Sequence, residues 1–310
     1  MQPFIDSPDE QQGPPPYEFR NMTVRGALLG ADMGKLRAWC DRRMNVFPRY
    51  RFEPLAPIVC LGINIYPEMR SAQPLFRDRL MNRQHEYYFM FPAIRHDAGS
   101  HGFLLPSALT WVFPFIGVDN SSSALTGQEV LGYQKMLGSI TAEEGAEGAF
   151  RSEVAMPGMK AFGPGEMQAM LPLLSLSLGR PIVGETAAHG FPWMLRGLDA
   201  LDGLLTGAAA QLLGSLAPDI LSVTNLKQFR DAESPMLACY TALVTSDYAL
   251  SNTGPTILYG DAEVSIHDNA AVAPVATLGL DPGLKPLMAF GVTTDMLYGT
   301  TTTNLAVDCG

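Results

Sequence analysis

Residues Gly127-Gln-Glu-Val-Leu-Gly-Tyr-Gln-Lys-Met-Leu-Gly138 set one lysine, Lys135, among apolar and glycine neighbours. Read as a helix capped by the serines at 121–123, the segment puts Leu131, Gly132, Gly138 and Ser139 on the face of Lys135, and none of them can neutralise an ammonium. Glu129 lies roughly 240° round such a helix, so it is not the ion-pair partner. The amine is therefore either solvated at the surface or desolvated in a pocket. Desolvation lowers a lysine's pKa and leaves free amine for attack on a carbonyl. Most lysines on helices are plain exposed charges, so elimination among the others matters. Only Lys35, Lys135, Lys160, Lys227 and Lys285 are available, against sixteen arginines. Lys35 and Lys227 sit in polar text and Lys160 and Lys285 in Gly/Pro-rich turns, which leaves Lys135 as the candidate nucleophile.

The elements that must position this lysine are mostly strands. Residues 17–29 read as extended, and Asp32 caps a helix to about Met44 with Leu36, Trp39 and Cys40 on one face. Residues 56–66, 86–94 and 103–118 are rich in β-branched and aromatic types between Pro, Gly, Asn and Asp, the pattern of strands. The stretch 141–230 changes texture, with many Gly, Pro and Met residues and a helical run at 193–216 striped by Leu198, Leu201, Leu205, Leu212 and Leu213. Strands return at 236–250, 256–267 and 287–307. Strands before and after a mixed middle predict one mainly antiparallel β domain with helices laid on it.

The whole chain narrows the function classes. It has 310 residues, 47% of them hydrophobic and 17% charged, which suits a folded domain with a sizeable core. A net charge of -10 and a pI near 4.9 oppose a nucleic-acid surface. Cys40, Cys60, Cys239 and Cys309 are too widely spaced for a zinc site and read as reduced core thiols. Residues 1–16 are polar, acidic and proline-rich, read as a disordered leader without the features of a secretory signal, and no apolar run is long enough to span a bilayer. A cytoplasmic protein without a membrane partner is the expectation. Gly30-Ala-Asp-Met-Gly-Lys-Leu36 falls short of a phosphate loop, and no Gly-x-Ser-x-Gly or His-Glu-x-x-His motif is present. His96, Asp97 and His101 read as polar loop text, so no metal is expected.

The lysine segment resembles the active-site segment of the acetoacetate decarboxylase family, Gly-Arg-Glu, four variable positions, then Pro-Lys-Lys-Leu. Gly127, Glu129, Tyr133, Lys135 and Leu137 match. Pro16-Tyr17-x-Phe19-x-Asn21 with Asp32-Met33, Glu86 ahead of Phe91-Pro92, Val118-Asp119-Asn120, Gly254-Pro255 and Thr294-Asp295 agree in order and spacing. The resemblance covers about 17–140 and 236–307. It implies an α+β, mainly β fold, a large antiparallel sheet or barrel-like β core with packed helices, forming a single domain at 17–310 with a divergent helical insertion at about 150–230. It also implies Schiff-base chemistry without a cofactor, with Lys135 as the amine and Glu86 as the acidic residue beside it, in a chain that assembles as a homo-oligomer.

Three departures bear on substrate. Where the family has its second lysine this chain has Met136, where it has Pro there is Gln134, and where an arginine follows the N-terminal Asn there is Met22. The substrate contacts expected are Met22, Gln128, Tyr133 and Met136, with Arg20 replacing the lost arginine because strand alternation points it to the side of Met22. Arg25 points the other way. Thioethers in place of cations suit a keto substrate larger and more apolar than acetoacetate. The expected function is a Schiff-base lyase of specialised metabolism acting on such a compound, a β-keto acid decarboxylase or a non-decarboxylating aldolase, dehydratase or cyclase. A non-catalytic binder of apolar ligands is the alternative from another class.

Overall fold

The computed structural model describes residues 13–78, 80–81, 83–99, 104–187, 220–281 and 283–309. The first half runs β1 (Tyr17–Gly30), α1 (Met33–Arg43), β2 (Tyr50–Pro54), β3 (Ile58–Tyr66), β4 (Glu68–Ser71), β5 (Leu80–Met81), β6 (Gln84–Ala98), β7 (Leu104–Val118) and α2 (Ser121–Leu131). Then follow β8 (Lys135–Leu137), β9 (Ser139–Glu144), β10 (Phe150–Gly158), β11 (Ala169–Leu178) and β12 (Pro181–Ala187). The chain closes with β13 (Ile220–Arg230), β14 (Ala238–Ser251), β15 (Thr256–Tyr259), β16 (Ala262–Ile266), α3 (Pro274–Leu278) and β17 (Met288–Asp308). The Asp32 carboxylate caps α1 by accepting from the Lys35 N–H at 2.8 Å, and Leu36, Trp39 and Cys40 form its buried face.

The long strand β17 closes the main sheet. Its first half pairs with β1, Met288 opposite Leu28, and its second half pairs with β14, Asp308 opposite Thr241. Following the pairings β17, β14, β13, β7, β6, β3, β1 and back to β17 traces a continuous ring, so this part of the sheet is a barrel without free edges. A second sheet, in the order β16, β11, β10, β9, lies outside it.

Side-chain alternation then divides the apolar residues into two cores. On β3, Ile63 and Ile65 face outward into a core shared with α1 and the second sheet, through Phe150, Val154, Met156 and Leu176. Cys60, Tyr66, Tyr88, Met90, Phe290 and Met296 belong to the other core, inside the barrel. All nine residues of β3 are buried because both of its faces are covered, which explains why its text is apolar except at Asn64.

Several expectations require correction. The stretch at 150–230 was expected to be a helical insertion, but its described parts, β10, β11, β12 and the start of the hairpin at β13, are strands. Along β10 the buried Phe150, Ser152, Val154, Met156 and Gly158 alternate with more exposed residues, the signature of a half-buried strand. The helical run at 193–216 lies outside the described residues. Residues 13–16, read as part of a disordered leader, are held in place: the carbonyls of Gly13, Pro14 and Pro15 accept hydrogen bonds from Tyr17, Ser71 and Gln73. Only Cys40 and Cys60 are core thiols, because Cys239 and Cys309 are exposed at strand ends. No helix among the described residues is long and apolar enough to cross a membrane.

Candidate active site

Inward-facing residues at i, i+2 spacing build one end of the barrel lumen. Met22 and Val24 come from β1, Asn64 and Tyr66 from β3, Glu86, Tyr88 and Met90 from β6, Tyr248 and Leu250 from β14, and Phe290, Val292, Thr294 and Met296 from β17. They enclose a cavity of about 50 Å³. A water needs about 10–15 Å³ on this measure, so the space at rest holds three to five water-sized groups. Register places Asn64 directly opposite Glu86, which makes them lateral neighbours in the wall.

Lys135 reaches this wall from a strand, not a helix. The helix α2 stops at Leu131 because Gly132 takes the left-handed conformation at φ 76° and returns its N–H to the Gly127 carbonyl. The chain then pairs in parallel with β7, Lys135 opposite Ile116 and Leu137 opposite Val118. Gln128 clamps the reversal by donating its amide to the Lys135 carbonyl at 2.7 Å. The stem of Lys135 crosses α2 at Gly127, where a Cβ would stand 2.8 Å from Cδ and 2.9 Å from Cε. Glycine is needed there for close approach.

The lysine does have an acidic partner, contrary to the helical reading. Its Nζ lies 2.7 Å from Glu86 Oε2 and 3.2 Å from Ser123 Oγ, and the two side chains of the pair are only 10% and 8% exposed. The other carboxylate oxygen accepts from the Tyr66 hydroxyl at 2.9 Å, and that hydroxyl accepts from Asn64 Nδ2 at 2.7 Å. Burial, reinforced by the Glu86 carboxylate, holds the Tyr66 phenol well above its ordinary pKa, so it stays a proton donor at neutral pH.

The ring of Tyr133 lies 5.5 Å from the Lys135 nitrogen. Its hydroxyl meets the hydroxyl of Tyr248 in a short hydrogen bond and accepts from Tyr298 at 3.2 Å, while the rings of Tyr248 and Tyr298 stack 3.9 Å apart. Burial raises the pKa of all three phenols. They form a neutral, hydrogen-bonded floor beside the ion pair.

The sequence-derived site residues therefore divide. Glu86 and Met22 line the lumen, and Lys135, with Tyr133 beside it, joins them from the adjoining side through its contact with Glu86. Arg20 does not: it is exposed, whereas Met22 is buried. A bulge between Phe19 and Met22, with Asn21 at φ 52°, breaks the alternation that would have aligned them. Arg25 does point away, to Glu144 at 2.8 Å. Met136 alternates away from Lys135 along β8 and packs against the outer core. Gln128 and Met136 line an open outer groove of about 520 Å³ together with Tyr133, Lys135 and Lys227. Lys227 is not in polar surroundings as its text suggested. Its nitrogen lies 5.3 Å and 5.4 Å from the rings of Phe229 and Tyr240, and burial lowers its pKa. Among the described residues no cluster of metal-ligating side chains occurs.

Asn64, Tyr66, Ser123, Tyr248 and Tyr298 were not anticipated. Inward alternation with Glu86 across paired strands could have pointed to Asn64 and Tyr66. Nothing local marks Tyr248 or Tyr298, which reach Tyr133 across 115 and 165 residues of sequence.

The barrel and its outer sheet constitute the acetoacetate decarboxylase fold. The chain superimposes on acetoacetate decarboxylase from Legionella pneumophila with a TM-score of 0.60 at 13% identity, over 96% of this chain and 90% of that one. A second acetoacetate decarboxylase structure gives 0.61 at 14% identity over 99% and 97%. The enduracididine biosynthesis enzyme MppR, complexed with the condensation product of pyruvate and imidazole 4-carboxaldehyde, gives 0.56 at 14% identity over 96% and 92%. No family model matches the sequence, and no curated protein matches it.

Proposed function

We propose that this protein is a Schiff-base-forming lyase that binds an apolar keto compound in the barrel lumen. One observation carries this reading: the amine of Lys135, which lines a small neighbouring cavity with Tyr17, Phe19 and Ser123, is buried 2.7 Å from Glu86, a buried carboxylate of the lumen wall. Transfer of an ammonium proton to Glu86 frees the nitrogen lone pair to attack the ketone carbon. The attacking nitrogen passes a second proton to the former carbonyl oxygen to give a carbinolamine, and Glu86 returns the first to that oxygen, which leaves as water and yields an iminium. Breaking a bond β to the iminium carbon sends its electron pair to nitrogen and gives an enamine. Protonation of the enamine carbon and hydrolysis then release the ketone and regenerate Lys135. Acetoacetate decarboxylase and the condensation product held by MppR are the nearby precedents of the fold for keto chemistry.

The bond broken is the open choice between decarboxylation and an aldol or dehydration step. The non-decarboxylating variant is favoured by the position of Arg20, which leaves no guanidinium among the described lumen residues to receive a substrate carboxylate. Met22, Met90 and Met296 match an apolar substrate, and their flexible side chains can rearrange for one longer than the resting cavity holds. Action in specialised metabolism and assembly into a homo-oligomer belong to the same proposal.

Borohydride trapping tests it. A panel of ketones incubated with borohydride should add the corresponding alkyl mass to a peptide containing Lys135, and Lys135→Ala should abolish it. Absence of any adduct across the panel, with ligand binding retained, would identify a non-catalytic binding protein instead. Carbon dioxide release from β-keto acids separates the two lyase variants.

A further inference from the structure

The amide of Asn64 is oriented by its neighbours, and that orientation exposes a specific recognition element. Tyr66 has one hydroxyl proton, which it donates to Glu86 Oε1 at 2.9 Å. Its oxygen can then only accept from Asn64, so the Asn64 group facing it, at 2.7 Å, is the NH2. The carbonyl end of the amide, Oδ1, is left with no hydrogen-bond partner among the described residues, although Asn64 is only 6% exposed and lines the lumen. A buried acceptor in this state is costly unless a ligand supplies a donor.

The donor must carry hydrogen, which a carboxylate oxygen does not. Glu86, opposite Asn64 across the β3–β6 pair, already takes up the Lys135 charge at 2.7 Å, and no arginine stands among the described lumen residues to receive a further carboxylate. We infer that the substrate is an uncharged hydroxy ketone whose hydroxyl donates to Asn64 Oδ1 while its carbonyl carbon meets Lys135. This rests on the Schiff-base reading of the site and makes Asn64 a specificity-determining residue. An N–H donor satisfies the same acceptor, but a hydroxyl β to the ketone is also the arrangement an iminium-assisted carbon–carbon cleavage or dehydration requires. The resting cavity, at about 50 Å³, is smaller than such a ketone, which enters as the flexible Met22, Met90 and Met296 side chains give way.

The test is equilibrium binding by calorimetry at pH 7.5 with 4-hydroxy-2-butanone, 2-butanone and acetoacetate. The hydroxy ketone should bind about tenfold more tightly than either of the others, the advantage expected of one hydrogen bond to an otherwise unpaired acceptor. In Asn64→Leu the ratio of hydroxy ketone to 2-butanone affinity should fall to about one. Equal affinity for the hydroxy and deoxy ketones in the wild-type protein, or tightest binding of acetoacetate, overturns the inference. The wild-type comparison decides the matter even where the variant does not fold. Borohydride trapping of 2-butanone is run in parallel. Its failure counts against the Schiff base alone, because the calorimetric preference is measured without covalent capture.

Discussion

Replacing Gly127 with alanine should separate stability from reactivity. The new methyl carbon would stand 2.8 Å from Lys135 Cδ and 2.9 Å from Cε. Carbon–carbon contacts normally begin near about 3.5 Å, so the stem must move by roughly 0.6–0.7 Å. The stem is a flexible chain and can yield, but its nitrogen sits at the end of that lever, 2.7 Å from Glu86 and 3.2 Å from Ser123. Misplacement of a reacting group by about 1 Å costs on the order of 100-fold in rate. The alanine itself favours helix α2 by about 0.5–1 kcal/mol, which offsets the crowding. Gly127→Ala should therefore melt within about 1 kcal/mol of the wild type while borohydride trapping at Lys135, followed by intact mass at a fixed ketone concentration, slows roughly 100-fold. A variant that folds normally and traps at the wild-type rate would refute the idea that this glycine positions the amine.

Lys135→Ala leaves the Glu86 carboxylate buried and unpaired, so urea denaturation at pH 7 should show a loss of about 3–5 kcal/mol. Adding Glu86→Gln should recover part of it, and strict additivity in that double-mutant cycle would mean the pair is not coupled in solution. Burial raises the phenol pKa values of Tyr66, Tyr87, Tyr88, Tyr133, Tyr248 and Tyr298. Above about pH 10 the unfolded chain gives up phenol protons that the native state keeps. Stability should be undiminished by these groups below that pH and fall as pH rises further, by about 1.4 kcal/mol per pH unit for each phenol; phenolate absorbance from these rings appearing before unfolding would contradict this. Burial pushes the Cys40 thiol up to about 12 and raises Cys60 further, while Cys239 and Cys309 are exposed. A thiol reagent at pH 8 should titrate Cys239 and Cys309 rapidly in the native protein and Cys40 and Cys60 only on unfolding, and fast labelling of Cys60 would show that β3 is not covered on both faces.

Much of the architecture was legible because it depends on local pattern. The strands at β1, β3, β6, β7, β14 and β17 and the cap at Asp32 follow from alternation, β-branched content and side-chain capping, which act over a few residues. The run after α2 was misread for an equally local reason: Lys135 keeps helical spacing from the apolar residues before it, but Gly132 can adopt a left-handed conformation and ends the helix first. Arg20 failed as a lumen residue because one left-handed asparagine inserts a bulge, a choice that two-residue periodicity does not encode. The middle of the chain was misassigned because short apolar strands rich in Leu and Met resemble helix text until a partner sheet defines their buried face.

The amino-acid sequence alone determined that this is an acidic, mainly β chain with a lysine segment, a glycine at its start and a glutamate far upstream that together resemble a Schiff-base site. It could not show that the amine and the carboxylate touch. Glu86 and Lys135 are 49 residues apart, and only the pairing of β6 with β7 and of β7 with β8 brings them together. Closure of the barrel by β17 left the Asn64 carbonyl without a partner and assembled the tyrosine floor. Contacts of this kind are set by strand register across long loops, because hydrogen-bonded pairing fixes neighbours in space without any constraint on their separation along the chain.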